Sequence, residues 1–219
     1  MATFLLEIGS EELPADFVRL ALPQLERLVQ ADLTEQRLPF TGLRVLGSPR
    51  RLAVLVEGLP DRQSDLTEER KGPPAGQAFA DGQPTAAAVG FAGRCGVDPA
   101  DLVVRETPRG PFTFATVRQA GLPTADVLPT LVPGWIGGLQ GRRFMRWGSG
   151  DCRFPRPVRW LVALLDDAVL PVALADADPP VQAGRVSRGH RLGTPELPLA
   201  TAAAYGEALA AAEIGRAHV

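Results

Sequence analysis

The sequence predicts an α+β fold: a mixed, largely antiparallel sheet with hairpins, against which helices pack. Three observations carry this. Val18, Leu22, Leu25 and Val29 recur at helical spacing. Two pairs of short apolar runs flank turn residues, at Gly47-Ser48-Pro49 and Pro108-Arg109-Gly110. Strand and helix patterns are interspersed without regular βαβ alternation or an internal repeat.

The elements follow in order. Thr3–Ile8 is short, apolar and edged by Gly9, which suits a strand. Pro14 fits the first helical position behind Glu11 and Glu12, whose charges favour the positive helix end. That helix runs to about Gln36, and Pro23 inside it should kink it or delay its start. Leu43–Leu46 and Leu52–Val56 form a hairpin. Residues 58–84, rich in charge, Gly and Pro, read as a loop or mobile connector centred on Lys71-Gly72-Pro73-Pro74. A helix from Pro84 to about Arg94 is closed by Gly96.

Leu102–Arg105 and Phe112–Arg118 form the second hairpin. Phe112, Phe114 and Thr116 share one of its faces, and Thr113, Ala115 and Val117 the other. Thr124–Leu139 is helical, with Thr124 as N-cap and Gly137-Gly138 weakening its end. Val158–Leu165 and Val169–Leu174 are neighbouring strands joined across Asp166-Asp167, and Ala200–Ala212 is a last helix.

Composition narrows the class. At 219 residues, 45% hydrophobic and 22% charged, the chain is of globular type and long enough for a real core. No apolar run approaches the ~20 residues of a bilayer span, and the first residues lack a signal-peptide pattern. Cys95 and Cys152 are too few for a disulfide framework or a four-ligand zinc site. A cytoplasmic, reduced protein with no membrane partner is expected. Net charge is −2, so no global field attracts nucleic acid. Of 23 cations, however, only Lys71 is lysine. A GC-rich genome explains such arginine usage, and arginine forks also suit phosphates.

Charge is densest over residues 142–160, where six arginines face one Asp151. Phe144, Trp147, Phe154 and Trp160 are interleaved with them, a mix that binds phosphates and stacks on unpaired bases. The competing reading puts the aromatics in the core and the arginines on a solvated face. Strand alternation places Arg156 and Val158 on one side and Arg159 on the other. Gly148-Ser149-Gly150-Asp151-Cys152-Arg153 fits the short G-x-G-x-x-R pattern of an ATP-binding motif, which chance readily produces in a chain this rich in Gly and Arg.

No P-loop, H-E-x-x-H or G-x-S-x-G occurs. Only His190 and His218 are present, too little for a histidine-based triad. Within Arg188-Gly189-His190-Arg191, His190 suits hydrogen bonding or a phosphate contact. Glu7, Glu11 and Glu12 offer an acid/base set, but capping and solvated charge explain them more simply. No catalytic residue and no metal ligand is therefore assigned.

The order of motifs says more. Phe4-Leu-Leu-Glu7-Ile8-Gly9-Ser10-Glu11-Glu12-Leu13-Pro14 is followed by Ser48-Pro49-Arg50-Arg51-Leu52-Ala53-Val54 and Lys71-Gly72-Pro73. Gly90-Phe91-Ala92-Gly93-Arg94-Cys95-Gly96-Val97 and Phe144-Met145-Arg146-Trp147-Gly148 come next. Phe154-Pro155-Arg156-Pro157-Val158-Arg159-Trp160 and Gly189-His190-Arg191 complete the series. This resembles, from residue 1 to about 212, the N-terminal region of the β subunit of bacterial heterotetrameric (α2β2) glycyl-tRNA synthetase. Ser10 replaces the usual threonine, and Leu192 the aromatic that normally follows Gly-His-Arg.

The resemblance implies a glycine–tRNA ligase converting ATP, glycine and tRNA(Gly) to glycyl-tRNA, AMP and diphosphate. It implies that glycine and ATP with Mg2+ bind the α subunit, and that no cofactor binds this segment. Partners would be the α subunit, a second β subunit and tRNA(Gly), which the β subunit recognises. The fold would resemble the B3/B4-type module of phenylalanyl-tRNA synthetase. Arg142, Arg146, Arg156, Lys71, Arg188 and Arg191 are the RNA-binding candidates. A stand-alone RNA-binding module and a non-catalytic protein-interaction subunit are the alternatives.

The end of the chain reads differently. Glu213–Val219 is what GAG ATC GGA AGA GCA CAC GTC encodes, the start of a widely used sequencing adapter in frame. Residues 213–219 are therefore expected to be an artefactual tail, unpacked and without function, with His218 no site residue. Apolar surface on the preceding helix is expected to lie open.

Overall fold

The computed structural model describes residues 1–189 and 196–214. In chain order the elements begin β1 (Ala2–Ser10), α1 (Ala15–Glu35), β2 (Gly42–Ser48), β3 (Arg51–Leu59) and β4 (Leu66–Pro74). Then come α2 (Ala75–Ala78), β5 (Phe79–Ala80), β6 (Gln83–Pro84), α3 (Ala86–Cys95), β7 (Val103–Thr107) and β8 (Gly110–Gln119). After α4 (Thr124–Gly137) follow β9 (Met145–Arg146), β10 (Arg153–Phe154), β11 (Val158–Leu165), β12 (Ala168–Val169) and β13 (Ala173–Leu174). The series ends with β14 (Val181–Gly184), β15 (Val186–Arg188), β16 (Glu196–Pro198) and α5 (Tyr205–Ala211). The fold is α+β.

The chain divides into two units, residues 1–63 with 122–219 and an inserted unit of residues 64–121. In the first, a seven-stranded sheet runs in the order β13-β14-β11-β1-β3-β2, with β12 beside β11. Its pairs are antiparallel except β11 with β14. The strand β1 lies in the middle and is buried on both faces, so it reads as a nearly continuous apolar run. Phe4, Leu6 and Ile8 face one core, shared with the α1 stripe and with Val127, Leu128, Val132 and Trp135 of α4. Leu5, Ala53, Leu55, Trp160, Val162 and Leu164 face a second core closed by Leu199, Ala202, Tyr205 and Leu209.

Helix α1 follows its predicted stripe, with Val18, Leu22, Leu25 and Val29 all buried, and Leu33 extends that stripe by one more turn. Each is worth roughly 1.5–3 kcal/mol of apolar burial. Pro23 stays inside the helix on its exposed side, so the backbone group it leaves unpaired meets water. In helix α4 the capping roles shift by one residue from the expectation. Pro123 takes the N-cap position, and Thr124 is the first helical residue, its hydroxyl donating to the Pro60 carbonyl at 2.5 Å.

Three further expectations are corrected. The expected strand 169–174 breaks into β12 and β13, because Leu170 and Val172 turn inward to the first core. The last helix is only Tyr205–Ala211, and its apolar residues Tyr205 and Leu209 are buried rather than open. Ile214 donates its N–H to the Leu209 carbonyl at 2.9 Å and packs on the second core, so the tail is packed at least that far. Residues 215–219, including His218, lie outside the described residues.

The inserted unit is built on a three-stranded antiparallel sheet, β4-β8-β7. Its strand β4, together with α2, β5 and β6, occupies much of the stretch 58–84 expected to be a loop or mobile connector. Thr67–Arg70 are polar and exposed, so hydropathy gives no sign of a strand, and the pairing comes from the backbone of β8. Ala115 and Val117 face a small core with Phe91, Ala92 and Leu102. Helix α3 ends as predicted, with Gly96 left-handed at φ 67°.

Candidate functional site

Glu7 sits in the middle of β1, opposite Ala53 and Val162, and is fully buried. A lone carboxylate there would cost several kcal/mol. Four side chains from four other elements answer it. Trp160 Nε1 donates at 2.5 Å, Tyr205 Oη at 2.5 Å, Ser187 Oγ at 2.6 Å and Arg51 Nη1 at 3.1 Å. Arg51 is itself buried, donates also to Ser187 Oγ, and reaches the Arg188 carbonyl through Nη2 at 2.5 Å. Burial, then the adjoining Glu7 charge, pushes the Tyr205 phenol well above its ordinary range, so it stays protonated as a donor.

The Trp160 indole lies against Gly9, where a Cβ would come within 1.8 Å of the ring. Only glycine fits. One register irregularity accompanies this contact: Gly9 pairs with Trp160 and Ser10 with Val158, leaving Arg159 as the extra residue of a bulge. Val158 consequently packs on the first core although Trp160 faces the second. Three guanidinium groups approach the indole, those of Arg50 and Arg51 at 5.7 Å and that of Arg188 at 5.2 Å from the ring centroid. Arg188 is exposed and Arg50 half-buried, so both remain within reach of an anion.

In the arginine-rich segment every cation but Arg156 is exposed, while the Phe154 and Trp160 rings are buried and those of Phe144 and Trp147 half-buried. Phe144 and Phe154 stack edge-to-face with Phe17 at 5.5 and 5.6 Å, and Trp147 Nε1 donates to the Phe154 carbonyl at 2.9 Å. Arg142 and Arg146 are exposed ahead of β10, and Arg146 pairs with Asp151 at 3.3 Å. Arg156 is half-buried and donates to the Pro155 carbonyl, while Arg159 pairs with Glu11 at 3.0 Å. Lys71 lies exposed in the inserted unit, its Nζ 3.6 Å from the Phe112 ring centroid. His190 and Arg191 lie outside the described residues.

The G-x-G-x-x-R turn has its own anion. Ser149 donates to the Asp178 carboxylate from its N–H at 2.7 Å and its hydroxyl at 2.8 Å. These bonds, the backbone one foremost, hold the Asp178 carboxyl below its ordinary range. Among the described residues no group of three His, Cys, Asp or Glu side chains is placed to hold a metal ion, and no helix is long and apolar enough to cross a membrane.

Comparison with known families decides the kinship: the family described as glycyl-tRNA synthetase beta subunit matches residues 4–217. The chain belongs to the glycyl-tRNA synthetase β-subunit family. It is 56% identical over 192 residues to the glycine–tRNA ligase β subunit of Picosynechococcus sp., covering 88% of this chain and 27% of that one. The corresponding subunit of Synechocystis sp. is 53% identical over 192 residues, with the same coverage. That of Geobacter sulfurreducens is 43% identical over 187 residues, covering 85% of this chain and 27% of the relative. The chain thus spans about a quarter of the length of these relatives.

Family membership gives the buried cluster its setting. Glu7, Arg51 and Trp160 come from three of the family-like sequence blocks, and the fold brings those blocks together around one carboxylate. The sequence alone reads Glu7 as a capping or solvated charge. Its position within Phe4-Leu-Leu-Glu7-Ile8, a run otherwise apolar, is the available signal of burial. Ser187 and Tyr205 carry no comparable one.

Proposed function

We propose that this segment serves glycine–tRNA ligase as part of its β subunit, supporting tRNA(Gly) recognition and assembly with the α subunit and a second β subunit. In this reading ATP, with Mg2+, and glycine are bound by the α subunit, where glycyl-tRNA, AMP and diphosphate are formed. The observation that carries it is the family match over residues 4–217. The geometry agrees with a recognition role. Glu7 has all its partners inside the protein, so it is a fixed scaffold rather than a mobile acid or base. Arg142, Arg146 and Arg188 meanwhile present exposed guanidinium groups suited to phosphate oxygens.

The test is aminoacylation by the ligase assembled from the complete β subunit and its α partner. Charge removal at Arg142 and Arg146 should raise the KM for tRNA(Gly) and leave glycine-dependent ATP–pyrophosphate exchange unchanged. Loss of exchange with tRNA binding intact would place this segment in the chemistry and defeat the proposal.

A further inference from the structure

The outer face of the inserted sheet breaks the usual pattern of a half-solvated antiparallel sheet. Such sheets turn apolar residues to the core and polar ones to water. Here the inward positions of β8 are Thr113, Ala115 and Val117, whereas Phe112 and Phe114 point to the other face and remain half-exposed. Val103, paired with Phe114 across the ladder, is 47% exposed. Each ring carries a cation: Lys71 Nζ is 3.6 Å from the Phe112 centroid, and the Arg105 guanidinium is 5.8 Å from that of Phe114. Glu69 shares this face and is already paired with Arg105 at 2.7 Å. Lys71 is therefore left with charge to offer.

We propose that this face is a stacking platform for single-stranded RNA, with Phe112 and Phe114 each taking a base and Lys71 a backbone phosphate. The proposal rests on the tRNA reading above and gives it a site. Two rings separated by one residue on a strand stand about 7 Å apart, and sheet-borne aromatics of this kind stack successive unpaired bases. The positive charge beside the rings complements the phosphate backbone. An acidic protein segment would use the cations, whereas successive unpaired bases use the cations and both ring faces together.

The experiment measures binding of two fluorescent probes, tRNA(Gly) and an unstructured oligoribonucleotide, to the complete ligase. Phe112→Leu and Phe114→Leu keep apolar bulk and remove the π face. Each should weaken binding of the oligoribonucleotide about 5- to 150-fold, the range of one lost base stack. Val103→Glu, at an exposed position, should do the same by placing a negative charge beside Phe114. Lys71→Gln should reduce the salt slope by about 0.7, the single-strand value for one phosphate. Unchanged oligoribonucleotide binding in the leucine and Val103→Glu variants would overturn the platform. Wild-type enzyme that binds tRNA(Gly) but not the oligoribonucleotide would overturn it too, leaving the tRNA reading intact. Phe-dependent binding of the oligoribonucleotide without any binding of tRNA(Gly) would support the platform and defeat that reading.

Discussion

Tyr205 and Glu7 are 198 residues apart in the chain and joined by a 2.5 Å hydrogen bond. That contact ties the last described helix to the central strand. It also closes a network in which each Glu7 carboxylate oxygen accepts two hydrogen bonds, Oε1 from Trp160 and Ser187 and Oε2 from Arg51 and Tyr205.

Glu7→Gln removes the counter-charge of buried Arg51. Breaking a buried pair from one side costs about 3–5 kcal/mol, read as a lower midpoint in a denaturant titration. Arg51→Met in the same background should recover part of the loss, since no charge is then buried alone. Equal stability of wild type and Glu7→Gln would contradict the network.

Tyr205 is the chain's only tyrosine, so phenolate absorbance reports it alone. Its native pKa lies above the ordinary value of 10.0, which means that the folded chain holds this proton more tightly than the unfolded one. The associated stability is complete below about pH 10 and is lost as pH rises through the native pKa. Alkaline titration should show delayed phenolate formation in the folded chain and ordinary titration in denaturant. Tyr205→Phe should flatten the fall in stability above about pH 10. A native phenol titrating like the denatured one would refute the assignment.

Gly9→Ala drives a methyl group into the Trp160 indole, at 1.8 Å from the ring. Overpacking of this kind costs about 1–3 kcal/mol, and the displaced indole also loses its bond to Glu7. Tryptophan fluorescence should shift to the red, and the melting temperature should fall. Retention of both would show that the indole has room to move.

Removing Arg142 and Arg146 together should weaken tRNA binding and shallow its salt dependence by up to about 0.9 per lost duplex phosphate contact. Folding should be unaffected, because both residues are exposed. Unaltered affinity and slope would assign these arginines to solvation alone.

Local periodicity made much of the first unit legible. The α1 stripe, the β2–β3 hairpin and the strand β11 each follow from residues a few positions apart. What escaped depends on distance in sequence. Arg51, Trp160, Ser187 and Tyr205 reach Glu7 from 44 to 198 residues away, and nothing local marks a mid-strand glutamate as their common partner. The strand β4 escaped because its polar residues show no buried face. For β8, alternation separated the two faces correctly, yet the phenylalanines lie on the outer one, and Ala115 and Val117 on the inner. Periodicity sorts residues into faces without saying which face meets a helix.

The chain leaves the first unit at Gln63 and re-enters it at Leu122, and these two residues hydrogen-bond to each other. The Gln63 N–H donates to the Leu122 carbonyl at 2.9 Å, and the Leu122 N–H donates to the Gln63 side chain at 3.0 Å. The two ends of residues 64–121 are thus already held side by side, as a tight turn would hold them. Because each doubling of a closed loop costs only about 0.6 kcal/mol in entropy, the length of the intervening stretch is nearly immaterial to the parent sheet. Residues 64–121 amount to a cassette: a graft of another sequence between Gln63 and Leu122 should leave every strand pairing of the seven-stranded sheet in place.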